Sequence, residues 1–218
     1  MTKKKLESII KKYILNLLVG NYILTDTYVI KSPIEDIVIG FCFERSSTDD
    51  GIYIWWFTQP LYIPDNTLHL TFGNRIRLPD KNELWNFGKN HIDNTVNILM
   101  EELLIHDKMI NALKVPSNFY EYYLETREKN IRIYEATIYT ACWIGLSNVD
   151  EEIEVCLNFI QVNLNLSIPW IKKIFDNLSL LRIQKNQGER IAILNQWKNN
   201  TLSALKLDHI STFGHVSN

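Results

Sequence analysis

The sequence predicts an α+β protein: a small antiparallel sheet of about four strands flanked by helices, followed by an all-helical half. Three observations predict it. Apolar residues alternate with period two between residues 36 and 78, and short turn-rich joints separate these runs. Before and after that region the apolar period lengthens to three and four. With 46% hydrophobic and 22% charged residues but only 8 Gly and 6 Pro, the chain has the composition of a packed globule without long linkers.

The elements follow in order. Leu6, Ile9, Ile10, Tyr13, Ile14, Leu17 and Leu18 form one stripe of an amphipathic helix, with Gly20 as its stop. A weaker strand is expected over Tyr22–Ile30. Asp36–Glu44 alternates, with Ile37, Ile39, Phe41 and Phe43 on one face. The run from Ile52 to Ile63 is apolar at nearly every position, as in a strand buried on both faces. Leu68, Leu70, Phe72, Ile76 and Leu78 continue the alternation. Turn residues stand between these runs, at Ser32-Pro33, Ser46–Gly51 and Pro64-Asp65-Asn66. After Pro79-Asp80 a helix is expected, with Asp80 or Asn82 as cap, Trp85, Ile92, Val96, Leu99, Leu103, Ile110 and Leu113 as its stripe, and Pro116 as its end. The remainder reads as helices. Ser117 caps the first, and Ile131–Gly145 is apolar nearly all round and so expected to be surrounded by others. Three more begin near Asn148, Pro169 and Gly188. The expected organisation is a helix–sheet–helix unit over 1–115, a helical bundle packed on it over 116–210, and a flexible tail over 211–218.

Charge and cysteine content exclude several classes of function. A net charge of −2 argues against a protein whose main partner is a nucleic acid. Lys3, Lys4, Lys5, Lys11 and Lys12 make a local basic cluster on the polar side of the first helix, which reads as a solvated face, with a membrane-surface or nucleic-acid contact as the alternative. No apolar run is long enough to cross a membrane, and no cleavage-site pattern follows the N-terminal lysines. The 3 cysteines, Cys42, Cys142 and Cys156, lie far apart in apolar stretches, which suits packed thiols in a reducing compartment; a cytoplasmic protein is expected.

Candidate chemistry concentrates on the sheet. With even-numbered residues of Leu68–Leu78 facing inward, Thr67, His69, Thr71, Arg75 and Arg77 share the other face, where guanidinium forks suit carboxylate or phosphate groups. Trp55 and Trp56 point to opposite sides, so one set, either Tyr53, Trp55 and Phe57 or Ile54 and Trp56, joins that face, and Gln59 lies on the Trp55 side. Trp55, Gln59, His69, Arg75 and Arg77 therefore form the expected ligand or partner surface. An ordinary solvated face, or one covered by the helical half, fits the same pattern. Glu102 and His106 are one helical turn apart without a third metal ligand, and His106 falls on an apolar stripe. His91 reads as surface, and Asp49 and Asp50 beside Gly51 read as turn residues. Cys42 with His69 lacks an orienting third group. No GxSxG, GxxxxGKS, GxGxxG or HExxH motif occurs, and no catalytic residue, metal or cofactor is expected.

The stretch Trp55-Trp56-Phe57-Thr58-Gln59-Pro60-Leu61-Tyr62-Ile63-Pro64, continued by Leu68–Ile76, resembles uncharacterised bacterial proteins of unknown function that carry a helix, a small antiparallel sheet and a helical extension. Some of these are regarded as candidate immunity proteins, which bind and neutralise a toxin. The resemblance covers about residues 1–100 and carries no catalytic residue to any position here. It implies a non-enzymatic protein-binding role with a partner such as a toxin. The alternative is a small-molecule or enzymatic site that holds an anionic ligand between the sheet and the helical half.

Overall fold

The computed structural model describes residues 2–49, 51–87, 92–184 and 186–211. His91, Asp50 and the tail beyond Ser211 lie outside the described residues. The chain is α+β and divides into two compact units. One draws on residues up to Gln59, on Leu68–Lys114 and on the residues from Leu207; the other draws on Pro60–Thr67 and Val115–Lys206.

The sheet unit begins with α1 (Lys3–Ile9), whose first turn is closed by the Thr2 hydroxyl accepting the Lys5 N–H at 3.2 Å. Its continuation is not plain α-helix. Ile10–Ile14 forms a π turn, closed by the Leu15 N–H on the Ile10 carbonyl at 3.0 Å. The expected stripe survives, because Leu6, Ile9, Ile10, Ile14 and Leu18 are all buried.

Six strands follow: β1 (Asn21–Thr25), β2 (Tyr28–Ser32), β3 (Ile37–Arg45), β4 (Gly51–Pro60), β5 (Gly73–Arg75) and β6 (Leu84–Asn86). The order is β1-β2-β3-β4-β5, and β6 also pairs with β4. Trp55–Phe57 of β4 pair with β5 while Gly51–Tyr53 pair with β6, so the two short strands lie end to end along one edge of β4. The expected weak strand over 22–30 is instead a tight hairpin that turns at Asp26, whose φ is 56°.

Two other expectations are corrected. The segment from Leu68 is not one strand, since Leu70–Phe72 is a 3₁₀ turn and only Gly73–Arg75 pair. Strict inward parity fails with it: Phe72 and Ile76 are buried, but Asn74, opposite Trp56, is exposed. Gly73 explains how β5 can approach at all. A Cβ there would stand 2.1 Å from the Trp56 carbonyl oxygen. The second correction concerns Trp85, which belongs to β6 rather than to a helix. It is wholly buried, with its indole N–H donating to the Ile76 carbonyl at 2.9 Å. Asp80 and Asn82 do not cap a helix; they accept the N–H groups of Asn82 and Leu84 as turn formers. Helix α2 (Ile92–Leu113) starts later and lies against β3 and β6. Ser211, placed in the expected tail, is buried and bridges to Ile34.

The helical unit contains α3 (Pro116–Leu124), α4 (Ile131–Ile144), α5 (Val149–Asn163), α6 (Pro169–Arg182) and α7 (Gln187–Ala204). Pro116 opens α3 as its first residue, with Val115 rather than Ser117 at the cap. Helix α4 is central, as its apolar composition requires: Tyr134 to Cys142 are all buried, and α3, α5 and α7 pack around them. It ends at Gly145 in the left-handed region, φ 74°.

Pro60–Thr67 belongs to this helical unit although β4 leads directly into it. Tyr62 stacks on Trp143 with centroids 5.0 Å apart, and its hydroxyl lies 2.9 Å from that of Thr140. The Thr201 hydroxyl donates to the Ile63 carbonyl at 3.0 Å, and the Lys173 ammonium to that of Pro64 at 2.7 Å. Arg132 pairs with Asp65 and also with the buried Glu135. Among the described residues no helix is long and apolar enough to cross a membrane.

Two stability effects are expected. Gly73→Ala should lower the melting temperature by forcing β5 off β4, a cost of about 1–3 kcal/mol for overpacking. Thr201→Val keeps the volume but leaves the buried Ile63 carbonyl without its donor, about 1–3 kcal/mol. Urea unfolding of each variant against the parent chain measures both.

Candidate functional site

Arg75 is the centre of the surface. It stands directly opposite Trp55 in the β4–β5 register. Alternation along β4 puts Tyr53 and Trp55 on one face, while Ile52, Ile54 and Trp56 turn to the other and are buried. The Arg75 guanidinium therefore lies over both rings, 4.4 Å from the centroid of Tyr53 and 4.8 Å from that of Trp55. Such contacts contribute about 0.5–1 kcal/mol at exposed sites. Stacking also accounts for the Arg75 Nε, which is buried without a hydrogen bond.

The remaining polar groups are held by neighbours. Arg75 donates to Glu83 at 2.7 Å, and Arg77 donates to the other Glu83 oxygen from Nε at 3.1 Å. The Trp55 indole N–H donates to Glu44, at the end of β3, at 2.7 Å. Glu83 is held below its ordinary carboxylate range, first by the Arg75 hydrogen bond and then by that of Arg77. Arg77 is the most open member, with 58% of its side chain exposed against 31% for Arg75. Beside Glu44 an open groove of 520 Å³ is lined by Thr27, Phe43, Glu44, Arg45, Ser46 and Ser47. The structure thus joins aromatic rings, paired arginines and a groove on one unit.

Of the five residues expected at the surface, three come together: Trp55 and Arg75 by direct contact, Arg77 through Glu83. Gln59 is fully buried, and its side-chain oxygen accepts the His69 backbone N–H at 2.7 Å. That bond pins the chain just ahead of the 3₁₀ turn, so Gln59 acts within the fold and not on the face. His69 caps this turn in extended conformation, and the turn breaks the single-strand relation expected between His69 and Arg75.

Glu44 and Glu83 were missed, and Tyr53 stood only within one of the two aromatic sets that alternation allows on that face. Tyr53 shares the parity of Trp55, a signal that was available. Glu83 had no signal, because it reaches the arginines only through the turn closed by the Leu78 N–H on the Asn82 carbonyl.

Other candidates resolve as packing. Burial pushes the thiols of Cys42, Cys142 and Cys156 up to about 12, so none is a ready nucleophile at neutral pH. His106 lies 2.7 Å from the Glu102 carbonyl, and no metal-binding group of three ligands occurs among the described residues. A polar cluster absent from the sequence reading ties the β1–β2 hairpin to α2. There Asp107, 6% exposed, accepts from Tyr22 and from Asn111, and Lys31 lies 3.8 Å away. Burial and then Asp107 raise the Tyr22 phenol well above its ordinary value.

The fold and this surface define an α+β protein with an arginine-bridged aromatic face. No family model, curated protein or solved structure matches the chain.

The Glu83 pairs should respond to acid in a fixed direction. A carboxyl held below its ordinary 4.5 favours the folded pairing above that value, and the benefit disappears as pH falls through the lowered value. Nitrogen NMR of the Arg75 side chain should show this transition in acid. Glu83→Gln should abolish it.

Proposed function

We propose that this chain is a non-enzymatic, immunity-like protein of the bacterial cytoplasm that binds a protein partner through the face around Trp55, Arg75 and Arg77. The observation that carries the reading is the stacked arrangement of Arg75 on Tyr53 and Trp55. Aromatic residues and arginine supply most binding hot spots, and side chains already ordered before association lose less entropy when the partner arrives. The adjoining groove at Glu44 offers a recess for a partner side chain. Glu83 supports a protein over a small anion as the occupant, because it already engages both guanidinium groups and offsets part of their charge.

Co-expression with a secreted toxin encoded beside the gene is the test, followed by calorimetry of the purified pair. Protection from the toxin and direct binding are expected. Trp55→Ala or Arg77→Ala should weaken the complex about tenfold or more while leaving the fold intact. Failure to protect or to bind, or unchanged affinity in both variants, would exclude this reading.

A further inference from the structure

The lysine cluster at the start of the chain is not absorbed by the face around Trp55. Residues 1–12 contain five lysines and one acid, Glu7, a net charge of +4. The whole chain carries −2, so the remaining residues sum to −6. Positive charge is thus concentrated on one short helix of an otherwise acidic protein.

Packing fixes which way that charge faces. Leu6, Ile9, Ile10 and Ile14 are 0–5% exposed, so the apolar side of the helix is spent on the core. Lys3, Lys4, Lys5, Lys11 and Lys12 are all exposed on the remaining side. Lys3 pairs with Asp26 at 2.5 Å, and Lys12 lies over the Tyr13 ring at 4.6 Å. Lys4, Glu7, Ser8, Lys11 and Lys12 line a shallow groove of 490 Å³. The π turn at Ile10–Ile14 carries two of these lysines, and such turns recur at functional sites.

From this geometry we infer that the outer face of α1 and its π turn docks a compact acidic patch on a protein partner. The charge distribution selects that class. From Lys4 to Lys12 the face runs roughly 12 Å by helical rise, about one and a half Debye lengths at physiological salt. A nucleic-acid duplex or an anionic bilayer extends far past it, against a chain whose other residues sum to −6. A patch of carboxylates no longer than the helix meets the lysines and a single acid, Glu7. The helix has no apolar side left to insert into lipid, and it carries no arginine or tryptophan for base recognition. Lysine contacts of this kind steer association and weaken with added salt.

Fluorescence anisotropy of a labelled oligoglutamate peptide with the full chain tests this, alongside a labelled oligonucleotide and vesicles of anionic phospholipid. The peptide should bind at low salt and weaken steeply as salt is raised. Lys4→Gln/Lys11→Gln/Lys12→Gln, all exposed substitutions, should melt as the parent does and bind the peptide about tenfold more weakly. Trp55→Ala should bind it unchanged, which separates this face from the one proposed for toxin binding. Absence of peptide binding at low salt, or equal binding by the triple variant, overturns the inference. So does loss of binding in Trp55→Ala, or tighter binding of the oligonucleotide or the vesicles than of the peptide.

Discussion

Strand β4 sets the terms for the sheet unit. Of the residues from Gly51 to Pro60, only Tyr53 and Trp55 are not fully buried, so both edges and nearly all of both faces have to be covered. β3 closes one edge, and β5 and β6 share the other. A strand buried this thoroughly has no polar surface to offer water. At Tyr53 and Trp55 the cover changes from apolar side chains to a guanidinium. Arg75 shields the rings while leaving its charge accessible, and Glu83 balances that charge. The face proposed for partner binding is therefore the part of β4 that an arginine covers.

How much of this was legible in the sequence depends on how local the cause was. Period and composition sufficed for α+β, for the buried β4 and for the apolar α4, because each pattern lies within a single element. The parity of Trp55 and Arg75 also carried through, since direct pairing joins them. What failed depended on contacts across sequence. Leu68 to Leu78 alternates like a strand, yet the Gln59 side chain takes the His69 N–H and the chain coils into a 3₁₀ turn before β5 begins. Trp85 fits the helical stripe by spacing, but its indole finds the Ile76 carbonyl and the residue becomes part of β6. The hairpin at Asp26 lacks the Gly that usually announces such a turn.

Each unit has a polar cluster that ties distant segments together. Asp107 holds the β1–β2 hairpin to α2, and Arg132 spans Asp65 and the buried Glu135, whose carboxyl burial pushes upward despite the neighbouring cation. Removing one member of such a set strands the others away from water, which makes these positions less replaceable than their distance from the candidate site suggests. Neither cluster is visible as a motif, because the participants are separated by tens of residues.

The path of residues 60–67 has a consequence for how the polypeptide can be divided. β4 supplies the central pairing of one unit, and its direct continuation supplies Tyr62, Ile63 and Asp65 to the other. No single cut in the backbone releases two complete halves. A fragment holding only the C-terminal helices would lack the tyrosine that stacks on Trp143 and the carbonyl that Thr201 binds. Splitting or permuting this gene has to carry that short stretch along with the helices it serves.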